Sequence, residues 1–500
     1  MINSQLLAKF ATELEGELHF DTVMRTLYAT DASAYREMPT AVAIPATISD
    51  IKKLIHFARE NQSSIIPRTA GTSLAGQVVG SGIVVDVSKN FTKILEINKE
   101  EHWVRVQPGV VRDVLNMELK KHGLFFGPET STANRAMIGG MVGNNSCGSN
   151  SVVYGSTREH LLEVKAILAD GSEIEIKAAP PAPRGGASSS EFVHKLKSEA
   201  PPLGAGGAII TRMHAILSDP FNQSEIRKEF PKPTIERRNT GYALDMLLNC
   251  EPYTQGGKPF NLCELIAGSE GTLCFLTEIK LHVDDLPPTE IGLVCGHFNT
   301  VDESLRANLI ALKYKPSASE LMDHYILECT KANKEQSQNR FFVQGDPGAI
   351  LVVELRGNSR EEIEQKAVAM EAEMRASKLG YHFPVVYGAD TKRVWDLRKA
   401  GLGLLSNLPG DAKAVAVIED TAVDVNDLPD FIREFNEILT ANNLYCVHYA
   451  HAGSGEIHLR PIINLKTIEG NKQFRLIAEE IATLVKKYRG SLSGEHGDGR

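Results

Sequence analysis

The sequence is poor in the features that define several large classes of protein. Only 7 of its 500 residues are cysteine, the count is odd, and no two form a C-x-x-C pair. This argues against a disulfide scaffold and against an iron–sulfur motif within these residues. No apolar run approaches the roughly 18 residues of a membrane span. The N-terminal residues carry too many acids and too short an apolar run for a signal peptide.

Excess positive charge is also absent. Lys and Arg number 54 against 63 Asp and Glu, giving a formal charge of −9. Without a basic stripe to neutralise phosphates, the composition argues against a nucleic-acid-binding protein. Together these absences predict a protein of a reducing compartment. We expect it to be cytoplasmic, with peripheral attachment to the inner membrane as the alternative.

Helix and strand patterns divide the chain into two parts. The first part alternates helical and strand-like patterns, including a hairpin signal at Asp170-Gly171, and Pro287-Pro288 predicts a boundary after it. Beyond that boundary two β-α-β-like units follow, which favours an α+β fold. We predict one domain over residues 1–283 and a second over 284–500. A Pro/Gly/Ala-rich insertion occupies about 178–236, and its first part reads as loops around one short helix.

Three glycine-rich segments stand in the first domain, at residues 65–76, 136–148 and 268–273. None has the G-x-G-x-x-G or G-K-[ST] pattern, so neither a Rossmann loop nor a P-loop is supported. A single segment of this kind is more often a simple turn. Three of them together indicate that backbone approaches something large and flat, and a dinucleotide fits that description.

A histidine constellation stands near the end of the chain. His451 and His458 are seven residues apart and flank a Gly-rich turn between strand patterns, and Glu495 and His496 follow. A hairpin can bring both imidazoles to one point, which suits a borderline divalent metal. Two histidines, one carboxylate and open positions describe a catalytic metal site. His496 would then be free as an acid–base group.

These segments together resemble one known family. The chain is similar to the FAD-linked oxidase family of the vanillyl-alcohol-oxidase or PCMH type, in its D-2-hydroxyacid dehydrogenase branch. That branch includes D-2-hydroxyglutarate and D-lactate dehydrogenases. The similarity covers the chain apart from the insertion. It rests on Y-A-T-D-A-S-A-Y at Tyr28, P-R-T-A-G-T-S-L-A-G-Q at Pro67, the 138–148 loop, Y-G-S-T at Tyr154, N-T-G-Y-A-L at Asn239 and G-S-E-G-T-L at Gly268.

The resemblance implies a fold and a cofactor. The expected fold is α+β, with a two-part PCMH-type FAD-binding domain followed by a ferredoxin-like substrate or cap domain. FAD is expected to be non-covalent, because the first loop lacks the histidine that members with covalent flavin place there. The positions carried over for FAD are Arg68, Thr69, Ala70, Gly71, Thr72, Ser73, Pro128, Gly139, Gly140, Gly143, Asn145, Ser146, Glu270 and Gly271.

The resemblance also implies a reaction and its residues. Zinc or a similar divalent metal would be held by His451, His458 and Glu495, and His496 would be the catalytic base. Arg398, in a W-x-x-R motif, would bind the substrate carboxylate, and Lys413 would lie near a distal carboxylate. Arg460 replaces an Asn that is common in relatives. The implied reaction oxidises a D-2-hydroxy acid of the D-2-hydroxyglutarate or D-lactate class to the 2-oxo acid, by hydride transfer to flavin N5.

Several expectations accompany this reading. The electron acceptor would be a quinone, an electron carrier or an iron–sulfur domain, and a homodimer is the expected assembly. Relatives continue past E-H-G-x-G, and the larger ones most like this sequence add a cysteine-rich iron–sulfur domain. We therefore expect a fragment, with an iron–sulfur cluster only in a missing C-terminal region. The alternatives are a metal-dependent hydrolase, which leaves the glycine-rich loops unexplained, and a non-catalytic flavin-binding module, which leaves the histidines unused.

Overall fold

The computed structural model describes residues 2–178 and 205–499, which fold into mixed helices and strands. The helices span Ser4–Ala11, Thr22–Leu27, Ile48–Glu60, Arg112–Leu119, Ile138–Asn144, Ser151–Tyr154, Thr157–His160, Ala205–Ser218, Pro220–Glu229, Leu244–Leu248, Cys263–Ile266, Val301–Ala311, His324–Lys331, Arg360–Ala376, Asp390–Leu404, Leu428–Ala441 and Ile468–Lys487. The strands span Glu17–His19, Ala41–Ile44, Ile65–Arg68, Ile83–Asp86, Ile94–Asn98, Trp103–Val106, Leu124–Phe125, Leu161–Ile167, Glu173–Lys177, Phe275–His282, Asp284–Asp285, Glu290–Phe298, Ala318–Asp323, Ala349–Gly357, Val385–Tyr387, Lys413–Ala414, Thr421–Ala422, Cys446–His451 and Glu456–Ile463.

Two sheets build the first part of the chain. A four-stranded sheet contains the fully buried strands Ala41–Ile44 and Ile83–Asp86, which run parallel to each other. A five-stranded antiparallel sheet places Phe275–His282 between Trp103–Val106 and Leu161–Ile167. The strands that the alternating patterns predict are therefore present. The first glycine-rich segment begins in the strand Ile65–Arg68 and the third precedes the strand Phe275–His282, whereas most of the second forms the helix Ile138–Asn144.

An antiparallel sheet of eight strands dominates the second part. Its first four strands in the sequence are Glu290–Phe298, Ala318–Asp323, Ala349–Gly357 and Val385–Tyr387. Across the sheet they lie in the order Val385–Tyr387, Glu290–Phe298, Ala349–Gly357, Ala318–Asp323. With the helices Val301–Ala311 and Arg360–Ala376 between them, this is the β-α-β-β-α-β arrangement of a ferredoxin-like unit. The predicted α+β fold class is thus confirmed. The hairpin formed by Cys446–His451 and Glu456–Ile463 extends the same sheet.

Local sequence accounts for several element ends. The helix Ile48–Glu60 begins after Thr47, whose hydroxyl accepts a hydrogen bond from the Asp50 N–H. Gly123 follows a helical pattern and predicts a helix stop, and this glycine adopts the left-handed φ of 80° that favours glycine. The apolar run over 414–418 predicts a strand, but this prediction is mostly wrong, because only Lys413–Ala414 pairs there and only with the end of a neighbouring strand.

The loops that we predict in the insertion lie largely within residues 179–204, which are outside the described part of the chain. The remainder of the insertion forms the helices Ala205–Ser218 and Pro220–Glu229. Leu217 and Ile226 are buried in the hydrophobic core beneath the five-stranded sheet, so this segment contributes to that core. Across residues 2–178 and 205–499, we find no helix with the length and apolar character to cross a membrane.

Candidate active site

A cavity of about 1040 Å³ lies between the glycine-rich loops and one face of the eight-stranded sheet. Such a volume is at the upper end of small-molecule sites, and it can hold a dinucleotide with a small substrate. The structure brings most of the predicted site residues to its wall. These are Arg68, Thr69, Gly71, Thr72, Ser73, Gly139, Gly140, Gly143, Ser146, Glu270, Gly271, Arg398, His451, His458, Glu495 and His496.

On the loop side of the cavity, glycines without side chains leave the backbone exposed at the wall. A Cβ on Gly139 would lie 2.5 Å from the Pro108 Cβ, and one on Gly140 would lie 2.6 Å from the Thr69 hydroxyl oxygen. Gly143 borders the cavity with no other atom within 3.9 Å of its Cβ position, so a side chain there would fill the open space. Backbone can therefore approach a flat ligand closely, as FAD binding requires.

Four predicted residues do not line the cavity: Ala70, Pro128, Asn145 and Lys413. Asn145 and Pro128 lie behind the loops. The buried Asn145 side chain donates to Asn239 at 2.8 Å and accepts from the Arg158 N–H at 2.8 Å. The Pro128 carbonyl accepts from the Arg112 guanidinium at 3.1 Å. Both residues thus shape the loops from behind.

The histidine pair is positioned by the hairpin of Cys446–His451 and Glu456–Ile463. Because side chains alternate across a strand, Glu456, His458 and Arg460 lie on the same face of their strand. His451 is paired with Glu456 across the hairpin, so it joins them. Glu495 reaches this face from the C-terminal segment. Ligand atoms of His451, His458 and Glu495 all lie within 4.8 Å of one another.

The charge balance of this cluster suits a cation. Both carboxylate oxygens of Glu456 and Nδ1 of His458 are buried without a hydrogen-bond partner among the described residues. Burial, reinforced by the charge of Glu495, raises the pKa of Glu456 well above its usual value. Burial also holds the pKa of the His458 imidazole well below its usual value, so it is neutral and able to bind a metal. The donor set of two imidazoles and a carboxylate fits zinc.

His496 lies against this cluster and is held by both parts of the chain. Its ring stacks on that of His458 at a centroid distance of 5.7 Å, and its Nε2 lies 3.1 Å from the Glu495 carboxylate. Its backbone carbonyl accepts hydrogen bonds from Gln77 at 2.5 Å and Asn144 at 2.9 Å, both on the loop side. These contacts tie the backbone of His496 to the loop side of the cavity.

The charges around His496 favour its protonated form. Burial opposes the charge, but Asp420 and Glu495 outweigh it and raise the pKa of His496 to about 10. A general base must be neutral before it accepts a proton. A cation on Glu495 would offset the nearby negative charge and favour the neutral imidazole, which links the two predicted roles.

Arg237 is a buried residue beside the predicted metal ligands that our sequence analysis missed. Its side chain is 1% exposed, and its guanidinium donates to Glu495 at 2.9 Å, to the Ser151 hydroxyl at 2.9 Å and to the Gly148 carbonyl at 2.5 Å. It therefore connects a predicted metal ligand with the second glycine-rich loop. The only signal was its place two residues before the N-T-G-Y-A-L segment.

Arg398 reaches the cavity from the helix Asp390–Leu404. Its guanidinium lies over the Tyr449 ring and donates to the Tyr449 hydroxyl at 2.6 Å and the Ala450 carbonyl at 3.1 Å. It also pairs with the buried Glu320. Its Nε is buried and has no partner among the described residues, so this one N–H remains available to a ligand.

The structure does not bring Lys413 to the site. Its Nζ donates to the carbonyls of Leu408 and Ser406, near the turn that precedes its short strand. Arg460 lines the cavity instead, two residues from His458 on the same face. It pairs with Glu419 at 2.5 Å, and its Nε is buried without a partner among the described residues. Arg460, and not Lys413, therefore places a cationic side chain at the cavity wall.

Two domain families match the chain. Residues 39–177 match the FAD binding domain, and residues 288–500 match the C-terminal domain of FAD linked oxidases. The chain belongs to the FAD-linked oxidase family. It has the fold of p-cresol methylhydroxylase, with a TM-score of 0.63 at 12% identity over 98% of this chain and 88% of that one. The PCMH-type fold prediction is therefore confirmed.

Within that family the chain is similar to dehydrogenases of D-2-hydroxy acids. It is 33% identical over 499 residues to D-2-hydroxyglutarate dehydrogenase of Haemophilus influenzae, covering 97% of this chain and 47% of the relative. It is 25% identical over 520 residues to the mitochondrial D-lactate dehydrogenase (cytochrome) of Kluyveromyces lactis, covering 99% and 75%. The chain spans about half the length of the curated D-2-hydroxyglutarate dehydrogenases that it matches.

Proposed function

We propose that this chain is an FAD-dependent dehydrogenase that oxidises a D-2-hydroxy acid of the D-2-hydroxyglutarate or D-lactate class to the 2-oxo acid. One observation carries the proposal: a single cavity joins the glycine-rich loops of an FAD binding domain to His451, His458, Glu495, His496 and Arg398. A hydrolase would have no use for the glycine-rich loops. A flavin-binding module without catalysis would have no use for the histidines.

FAD, a divalent metal and the protein each have a separate role in the proposed reaction. FAD, held by the three loops, supplies the hydride acceptor. A divalent metal on His451, His458 and Glu495, for which zinc is our proposal, supplies a Lewis acid that makes a hydroxyl more acidic. The protein supplies binding and placement, and fixed placement removes much of the entropic part of the barrier.

Two side chains act on the substrate itself. Arg398 binds the C1 carboxylate through the unpartnered Nε–H of its guanidinium, a charge-assisted hydrogen bond, and Tyr449 keeps the guanidinium in place. His496 accepts the proton of the C2 hydroxyl on its imidazole. Because Gln77 and Asn144 hold its backbone carbonyl, the imidazole keeps one position against the cofactor loops.

The distal end of the substrate is assigned to Arg460. Its position two residues from His458, and its unpartnered Nε, support a role in binding a second carboxylate. Lys413 takes this part in our sequence-based prediction, but its ammonium group is occupied by the backbone carbonyl groups of Leu408 and Ser406. A dicarboxylate such as D-2-hydroxyglutarate would use both arginines, whereas D-lactate would use only Arg398.

Turnover requires an electron acceptor beyond this chain, and we propose a quinone, an electron carrier or an iron–sulfur domain. A cytoplasmic location and a homodimer complete the proposal. The division into domains at residue 283 is supported by the separate hydrophobic cores, since the first two end by Val283 and the others begin at Ile291.

Anaerobic mixing of the purified protein with candidate substrates tests the function. The protein should be yellow, and D-2-hydroxyglutarate or D-lactate should bleach its flavin absorption while the L-enantiomers do not. A colourless protein that cannot be reconstituted with FAD would overturn the proposal. A yellow protein that no D-2-hydroxy acid bleaches would overturn the substrate class.

A further inference from the structure

Glu320 lies at the centre of the predicted site but plays no part in the chemistry so far assigned. It is 1% exposed and stands within the buried strand Ala318–Asp323. A carboxylate so deeply buried is costly unless it is paired and hydrogen-bonded. Two partners meet this need, and each belongs to a different part of the proposed site.

The first partner is His451. Its Nδ1 lies 3.0 and 2.9 Å from the two carboxylate oxygens of Glu320. An ionised carboxylate can only accept, so Nδ1 must carry the proton and donate it to Glu320. The other nitrogen, Nε2, is then the free lone pair, and it lies 3.7 Å from the Glu495 carboxylate. Glu320 thereby selects the tautomer and ring orientation that metal binding by Nε2 requires.

The second partner is Arg398, whose guanidinium pairs with the same carboxylate. This contact, with those to Tyr449 and Ala450, occupies the two terminal nitrogens and leaves Nε without a partner. The guanidinium fork is therefore held in one orientation at the cavity wall. Arg398 and His451 come from different elements, the helix Asp390–Leu404 and the strand Cys446–His451, and Glu320 joins them.

We propose that Glu320 is a positioning residue that sets the metal-binding imidazole of His451 and the anion-binding guanidinium of Arg398 in register with each other. The proposal rests on the proposed function, since it assigns Glu320 to that same site. Glu320 does not line the cavity, whereas His451 and Arg398 do. It acts by fixing the distance between the group that binds the C1 carboxylate and the metal ligand set beside the hydroxyl.

The variant Glu320→Gln tests this positioning role separately from the contribution of Glu320 to packing. The amide keeps the volume but removes the negative charge, and its NH₂ donor replaces either the oxygen that contacts His451 alone or the oxygen that contacts both His451 and Arg398. Loss of such a supporting partner typically weakens metal binding about 10–100-fold. We therefore expect the Kd for Zn²⁺, measured on the FAD-loaded protein by competition with a chromophoric chelator, to rise by about that factor. At saturating Zn²⁺, KM for D-2-hydroxyglutarate should also rise.

Asp323→Asn provides the matched control. Asp323 is a buried carboxylate of the same strand, 2% exposed, and it accepts from the backbone N–H groups of His448 and Ile326. This variant should bind Zn²⁺ like the wild type. Glu320→Asp, which keeps the charge but shortens the reach, should give an intermediate Zn²⁺ affinity and serves if the Gln variant does not fold.

The possible outcomes distinguish a failure of the proposed metal site from a failure of the proposed role of Glu320. Wild-type protein that binds no Zn²⁺ would contradict the proposed metal site itself. Wild-type protein that binds Zn²⁺ and is bleached by substrate, alongside Glu320 variants with unchanged Zn²⁺ affinity, would overturn the role of Glu320 alone. Equal weakening in Asp323→Asn would overturn it too, because the effect would then belong to the strand.

Discussion

Replacing Arg237 with methionine tests how the buried charges of the site are balanced. The Arg237 guanidinium lies 2.9 Å from Glu495, whose side chain is 18% exposed, and 3.7 Å from the buried Glu456. At an effective dielectric constant of ~20, the attraction to the Glu495 carboxylate is worth about 6 kcal/mol before desolvation is counted. Removing one partner of such a buried pair typically lowers the free energy of unfolding by about 3–5 kcal/mol. At about 2–4 °C per kcal/mol for a domain of this size, the melting temperature should fall by roughly 6–20 °C.

The assay is thermal unfolding of the chelator-treated full chain, followed by circular dichroism and flavin fluorescence. Arg238→Met is the control, because the neighbouring Arg238 is also buried but pairs with Asp245 at 2.6 Å, away from the metal ligands. Added Zn²⁺ should raise the melting temperature of Arg237→Met more than that of the control, since a bound cation offsets the lost charge. An unchanged melting temperature in Arg237→Met, or equal zinc-dependent gains in both variants, would refute the reasoning.

Two further predictions concern substrate and metal. Arg460→Ala should raise KM for D-2-hydroxyglutarate about 10–100-fold, the loss of a hydrogen bond to a charged group, and raise KM for D-lactate much less. Lys413→Ala should leave both KM values within about twofold, and steady-state kinetics showing the reverse pattern would return the distal role to Lys413. Metal removal by chelator should stop flavin bleaching by substrate while the protein stays yellow, and added Zn²⁺ should restore it. Undiminished bleaching by protein shown to be metal-free would remove the metal from the proposal.

The sequence predicts best what depends on neighbouring residues. The hydrophobic periodicity of 51–58 and the glycine after His122 specify a helix and its end locally, and both are present. The alternation along 456–459 likewise predicts a strand, and it places His458 and Glu456 on one face. The histidine motif could therefore be interpreted before the structure was seen, because its two imidazoles lie on one hairpin.

The remaining site residues depend on contacts between distant parts of the chain. Arg237 meets Glu495 across 258 positions of sequence, and Glu320 meets His451 across 131. A single arginine or glutamate carries no local signal for such a partner. Glu320 stands in the middle of the buried strand Ala318–Asp323, but its sequence A-S-E-L-M-D has no continuous apolar run that would mark Glu320 as buried. The position of Lys413 in the sequence indicated a role near the substrate. The direction of its side chain could not be predicted, because that direction depends on the fold of the preceding turn.

The central claim is that His496 takes the substrate proton in a cavity shared with FAD and a metal. Anaerobic stopped-flow flavin reduction by D-2-hydroxyglutarate, in wild type and His496→Ala, tests it most directly. The backbone contacts of residue 496 to Asp420, Gln77 and Asn144 do not involve the imidazole, so the variant should fold and bind FAD. We predict that its flavin reduction slows by about 10²–10⁴-fold, the usual contribution of a general base. Reduction at the wild-type rate in the yellow variant would contradict the account.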